Sequence, residues 1–217
     1  MFDFDYTLFD TSRGVIQCMR HAFATVALAV PDEDAIRRSI GLPLEDAIKH
    51  LSDGAASQRC IEEMVRLFLQ SADSWMVDGT VPIAPVPQII RDLRADGLEL
   101  AIVTGKYRAR VERTLRKFEI GSCFDVLVCG DEVAKKPDPE GIRRVMARYT
   151  GLAATQFAFI GDHYLDILTA RNAGVDSIAV ATGQVTVDIL ASYSPHAVVR
   201  SLGELRPTAP VRAFRDQ

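Results

Sequence analysis

The 217 residues carry 25 Lys and Arg against 29 Asp and Glu, a formal net charge of −4, with 48% hydrophobic residues. That length suffices to bury a sizeable core, as one large domain or as a core with a smaller lid. The acidic balance argues against nucleic-acid and anionic-membrane partners, which select for a basic patch.

Residues 13 to about 80 read as helical. Gly14 to Val30 is apolar-periodic and ends at Pro31, Asp32 caps a short helix running to Ser39, and Gly41-Leu42-Pro43 breaks the chain. Leu44 to Leu51 and Gln58 to Trp75 follow, the latter with Ile61, Met64, Val65, Phe68, Leu69 and Ala72 at helical spacing. The block predicts a small helical bundle. Pro82, Pro85 and Pro87 then mark a hinge. Beyond it, apolar runs at Leu98 to Val103, Phe124 to Cys129, Phe157 to Ile160, Ser177 to Ala181 and Ala197 to Val199 predict strands. Helices over Tyr107 to Phe118, Pro139 to Tyr149 and Leu165 to Ala173 alternate with them. Continuous apolar strands separated by helices predict an α/β fold with a parallel sheet covered on both faces. The tail from Pro207 is expected to be loosely held.

Cys18, Cys60, Cys123 and Cys129 form no Cys-x-x-Cys pair, so reduced thiols in a cytoplasmic protein are expected. No apolar stretch is long enough to span a bilayer. No basic segment followed by an apolar run opens the chain, so no signal peptide is expected.

In a doubly wound sheet, ligands collect at the carboxyl ends of the strands. Asp3 and Asp5 follow Met1-Phe2, and Thr104, Gly105 and Lys106 follow the run ending at Val103. Lys135 and Lys136 stand before Pro137, and Gly161 and Asp162 follow Ile160, with Asp166 four residues on. Each group alone has an ordinary explanation as a turn, a helix cap or a surface lysine. All four in order, each at a predicted strand end, amount to a kit for phosphoryl transfer. Clustered carboxylates hold a hard cation, Mg²⁺, which favours carboxylate and phosphate oxygens. One carboxylate can attack phosphorus, and a lysine and a hydroxyl can meet the equatorial oxygens. A second acid two residues away can protonate the leaving alkoxide.

Asp3-x-Asp5-x-Thr7-Leu8, the run ending in Thr104, Lys136-Pro137-Asp138-Pro139, and Gly161-Asp162-x-x-x-Asp166 with Ala170-x-x-Ala173-Gly174 resemble the four motifs of the haloacid dehalogenase superfamily. The resemblance implies a Rossmann-like core over residues 1–12 and 82–217, with an inserted α-helical cap over 13–81. It makes Asp3 the nucleophile and Asp5 the general acid/base. Thr104, Gly105 and Lys136 would bind phosphate, and Asp3, the backbone carbonyl of Asp5, Asp162 and Asp166 would bind or surround Mg²⁺. Dehalogenases of the superfamily lack the second aspartate, so Asp5 implies a phosphatase. The segment Ile36 to Ala47 is similar to that of phosphoglycolate phosphatases, with Arg37 or Arg38 a candidate for a substrate carboxylate and Gly41 in the closing loop.

The expected partner is a small phosphorylated metabolite. Pyrophosphatases and sugar-phosphate enzymes of the same branch remain alternatives, and a catalytically silent binding protein is the rival of another class. Tyr6 stands where most relatives carry glycine, and His163 follows Asp162 where a small polar residue is common. No chemical role is assigned to Tyr6, His163, His21 or His50. Only Met1 and Phe2 precede Asp3. A full central strand would bury about four more aliphatic side chains, on the order of 6–12 kcal/mol, so the sequence is expected to begin late.

Overall fold

Short apolar runs become parallel strands and the amphipathic stretches between them become helices in the computed structural model, which describes residues 1–83 and 85–205. The tail from Pro207 lies outside the described residues. The chain divides into two units, Asp10–Val81 and a unit made of Met1–Phe9 with the chain from Pro82 onward. In chain order the elements are β1 (Phe9–Asp10), α1 (Ser12–Thr25), α2 (Glu33–Arg38), α3 (Leu44–Leu51), α4 (Gln58–Gly79), β2 (Val81–Pro82) and α5 (Val86–Ala95). There follow β3 (Ala101–Val103), α6 (Arg108–Lys117), β4 (Val126–Val128), α7 (Glu140–Arg148), β5 (Ala158–Gly161), α8 (Tyr164–Ala173), β6 (Asp176–Val180), α9 (Val187–Ser192) and β7 (Ala197–Val199).

The helical unit is built on the pairing of α1 with α4. Gly14 makes it possible: a β-carbon there would lie 2.6 Å from Met76 Cα and 3.0 Å from the Trp75 carbonyl. Cys18, Met19, Ala22 and Phe23 of α1 and Met64, Ala72 and Met76 of α4 are buried. Asp32 caps α2 as its sequence predicts, accepting from the Ala35 amide at 2.7 Å. Helix α1 ends at Thr25, short of the Val30 that periodicity predicts. Ala27 adopts φ +58° and the Leu28 amide turns back to the Phe23 carbonyl at 3.1 Å, a left-handed stop without the usual glycine.

In the other unit, β3 pairs with β4, and β5, β6 and β7 pair in that order, all parallel. Phe2 joins the two sets by bridging to Ile102 on one side and Ile160 on the other. Its amide donates to the Ala101 carbonyl (2.8 Å), and its carbonyl accepts from Val103 (2.9 Å). Asp3 donates to the Ile160 carbonyl (2.9 Å). The sheet therefore reads β4, β3, the Phe2 segment, β5, β6, β7. Alternate residues supply its two faces. Phe2, Ile102, Ile160 and Ile178 pack with Val86, Ile90, Val111 and Leu115 of α5 and α6. Ala101, Val103, Val128 and Phe159 pack with Ile142, Val145 and Ala170 of α7 and α8. Burying Phe2 alone is worth about 2–3 kcal/mol, and it anchors the residue that follows it.

Candidate active site

Asp3 sits at the carboxyl end of the central segment, where the chain order of the strands reverses. Loops diverge from such a point and leave a crevice for ligands. The turn after it is set by backbone bonds: the Phe4 carbonyl accepts from Leu8 and Phe9, and the Tyr6 amide donates to the Phe9 carbonyl. Tyr6, at φ +56°, replaces the glycine that this left-handed position favours. The Thr182 hydroxyl donates to its carbonyl at 2.6 Å.

Three separate loops converge here. Asp3, Asp162 and Asp166 bring carboxylate oxygens within 4.8 Å of one another, and all three residues are buried. Lys136, from the loop between β4 and α7, donates to Asp3 Oδ1 at 2.7 Å and to Asp166 Oδ1 at 2.6 Å. Asp166 Oδ2 accepts from the His163 amide at 3.0 Å, which locks that carboxylate into the first turn of α8. Three carboxylates against one ammonium leave two negative charges uncompensated in this cluster. At an effective dielectric of about 20, like charges at such separations repel by about 3 kcal/mol per pair.

The acidities follow. Burial pushes Asp3 up to about 6, with Lys136 opposing and Asp166 adding to the rise. Burial also lifts Asp162 well above the usual carboxylate range, reinforced by Asp166 and Asp3 and opposed by the Thr7 hydrogen bond. For Lys136, burial is outweighed by Asp166 and Asp3, and its ammonium is held firmly charged. Burial lowers His163, whose Nδ1 accepts from the Leu165 amide and whose ring lies 4.1 Å from that of Tyr164. The donor set is three carboxylates, and neither thiol nor imidazole belongs to it. It suits a hard divalent cation that relieves the excess charge.

Asp5 does not contribute its side chain to this cluster. Its carboxylate is about one-fifth exposed, and Oδ1 accepts from Lys106 at 2.8 Å. Thr104 is buried at the end of β3, its hydroxyl accepting from the Lys106 amide (3.2 Å), and Gly105 is exposed. In the helical unit, Arg37 donates to Ser12 Oγ at 2.5 Å. Arg38 is exposed, and Gly41 is exposed with φ +105°.

Several residues with parts to play here carry weak sequence signals. Thr7 donates to Asp162 Oδ1 at 2.8 Å; it sits in the first motif but looks like a turn threonine. Gly161 and Gly183 owe their identity to the carboxylates, because a β-carbon on Gly161 would overlap Asp166 and one on Gly183 would overlap Asp162 Oδ2. No local pattern marks Gly183, since it meets Asp162 only through the parallel pairing of β5 and β6.

The sequence profile of haloacid dehalogenase-like hydrolases matches residues 1–180. The chain is 30% identical over 214 residues to a protein named pyrophosphatase PpaX from Halalkalibacterium halodurans, covering 98% of this chain and 97% of that one. It is 29% identical to a phosphoglycolate phosphatase of Escherichia coli, covering 95% and 90%. A crystal structure described as a haloacid dehalogenase-like hydrolase from Bacteroides fragilis superposes with a TM-score of 0.89 at 30% identity, covering 94% of this chain and 97% of that one.

Proposed function

The chain belongs to the haloacid dehalogenase-like hydrolases, and from that premise we propose that it is a Mg²⁺-dependent phosphohydrolase working through an aspartyl-phosphate on Asp3. The observation that carries the proposal is the buried Asp3 held by Lys136 beside Asp162 and Asp166. An Asp3 oxygen attacks phosphorus, the bond from phosphorus to the leaving oxygen breaks, and Asp5 gives that oxygen a proton. Asp5 then takes a proton from water as the water attacks phosphorus, releasing phosphate and restoring the Asp3 carboxylate. Lys136, Thr104 and the Gly105 loop meet the phosphoryl oxygens. Asp3, Asp162, the Asp5 carbonyl and, directly or through water, Asp166 would hold Mg²⁺. When bound there, Mg²⁺ would supply charge that neutralises the phosphoryl group.

The presence of Asp5 favours an oxygen leaving group over halide. Relatives named for phosphoglycolate and for pyrophosphate both align along nearly the whole chain, so these are the first substrates to test, with sugar phosphates as the comparison. We take the helical unit as a substrate-selecting cap, with Arg37 and Gly41 in that role. Among the described residues no helix is long and apolar enough to cross a membrane. Among the described residues no disulfide joins Cys18, Cys60, Cys123 or Cys129, which supports a cytoplasmic setting.

The test is phosphate release from p-nitrophenyl phosphate. Turnover is expected to require Mg²⁺ and to disappear in Asp3→Asn. Protein of confirmed metal content that turns over no phosphate ester or anhydride in a broad panel would instead be a silent binding protein, and the proposal would fail.

A further inference from the structure

The proposed chemistry gives Lys106 no step, yet the fold builds a place for it. Its side chain is 3% exposed, and its ammonium lies 5.6 Å from the centroid of the Phe4 ring. Its backbone is held at both ends: the amide donates to Thr104 Oγ1 at 3.2 Å, and the carbonyl accepts from the Gly130 amide at 3.0 Å. Gly130 leaves no room for a β-carbon against the Gly105 backbone, so the loops after β3 and β4 are locked together at this point. Among the described residues the ammonium makes one hydrogen bond, to Asp5 Oδ1 at 2.8 Å. An ammonium carries three donors, and leaving buried donors without acceptors is costly. Two donors are therefore available beside Asp5.

The two lysines divide the site. Lys136 is engaged by Asp3 and Asp166, on the side of the nucleophile. Lys106 is engaged by Asp5, the residue that meets the leaving oxygen. A neutral sugar offers such a cation only hydroxyl acceptors, whereas an anionic leaving group offers charge-assisted ones, which are roughly twice as strong.

We propose that Lys106 is a specificity-determining residue of this site, acting on the leaving group. It positions Asp5 and receives a leaving group that carries a carboxylate or phosphate next to the bridging oxygen. The preferred substrates are then phosphate esters or anhydrides with anionic leaving groups. This rests on Asp5 being the group that faces the leaving oxygen.

The experiment compares 2-phosphoglycolate and pyrophosphate, one with a carboxylate and one with a phosphate on the leaving side, against glycerol 3-phosphate, whose leaving group is neutral. Wild type is expected to favour one or both anionic substrates in kcat/KM. Lys106→Met, which keeps the buried methylene stem, is expected to shrink that preference by about tenfold or more, mainly through KM. Lys106→Arg is expected to retain most of it. An equal fall for anionic and neutral substrates, or an unchanged ratio, overturns the proposal.

Binding to the Asp3→Asn protein with Mg²⁺, read by calorimetry, supplies a measurement that does not depend on the Lys106 variants folding. Tighter binding of the anionic pair than of glycerol 3-phosphate is expected, and equal affinities overturn the proposal. Selective binding by a protein that hydrolyses nothing would refute the hydrolase assignment and leave the Lys106 subsite standing. Hydrolysis of all three substrates alike would do the reverse.

Discussion

The two units bury different kinds of residue. Along the α1 and α4 pairing, the helical unit buries apolar side chains and a glycine contact, and its ionic pairs, such as Arg20 with Glu33, are exposed. The sheet unit buries Asp3, Asp162, Asp166 and Lys106, with Lys136 nearly so. Charge in a low-dielectric interior is expensive unless paired, so the second unit bears a strain that the first avoids. The difference teaches where stability and chemistry are separable: packing changes in the helical unit should move stability alone, and charge changes at the strand ends should move metal affinity and turnover.

The largest expected effect is Asp3→Asn. Turnover should fall by more than about a thousandfold, while the metal-free protein melts at a higher temperature because a desolvated carboxylate is gone. A lower melting temperature would show that Asp3 stabilises the sheet unit through Lys136 more than its burial costs.

Next is Gly183→Ala. A methyl group that must displace Asp162 should weaken Mg²⁺ binding by about 10–100-fold, measured by calorimetry, with little change in the melting temperature of the metal-free protein. Gly14→Ala is the matching change in the helical unit. Forcing α1 away from α4 should cost about 1–3 kcal/mol in denaturant unfolding and leave the Mg²⁺ affinity unaltered. Were Gly14→Ala to weaken metal binding as well, the separation between the units would break down.

The pH dependence sharpens the same contrast. Asp3 has a folded acidity weaker than in the unfolded chain, and its favourable contribution is therefore full below about pH 4 and is lost as pH rises through about 6. Asp162 shifts in the same direction, through burial reinforced by Asp166 and Asp3. For Asp3 alone, the rise from 3.8 to about 6 corresponds to a loss on the order of 3 kcal/mol. The proposed Mg²⁺ would bind the ionised carboxylates, so the increase in melting temperature that it produces should be small at pH 5 and grow through pH 7. A pH-independent increment would mean that the carboxylates are already ionised at pH 5. The smallest effect is Arg20→Ala in the helical unit, where an exposed pair should contribute under about 0.5 kcal/mol.

Much of this was legible along the chain. Asp32 announces its cap, Leu44 to Leu51 emerges as α3 with the predicted ends, and the edge strand Ala197 to Val199 is β7. Each rests on local rules: cap chemistry, helical period and a short apolar run. Pro82, Pro85 and Pro87 read as a hinge and so hide helix α5, which starts among them. Pro87 occupies the first turn of α5, where no amide hydrogen is needed. Helix α9 is too short to show a helical period in the sequence, although Thr186 caps it by accepting from the Ile189 amide.

The aspartates and Lys136 could be singled out from sequence because the proposed chemistry calls for those side chains at strand ends, and strand ends follow from apolar runs. By itself the sequence determined the helical block, the alternation of the longer strands and helices after it, and the set of groups offered to a phosphate. Only the tertiary structure decided which of those groups touch. It set Lys136 between Asp3 and Asp166, turned Asp5 away from the carboxylate cluster to Lys106, and pressed Gly183 against Asp162. These contacts join residues as many as 133 positions apart, and they exist because parallel pairing carries distant strand ends to one edge. Local periodicity contains no information about such neighbours.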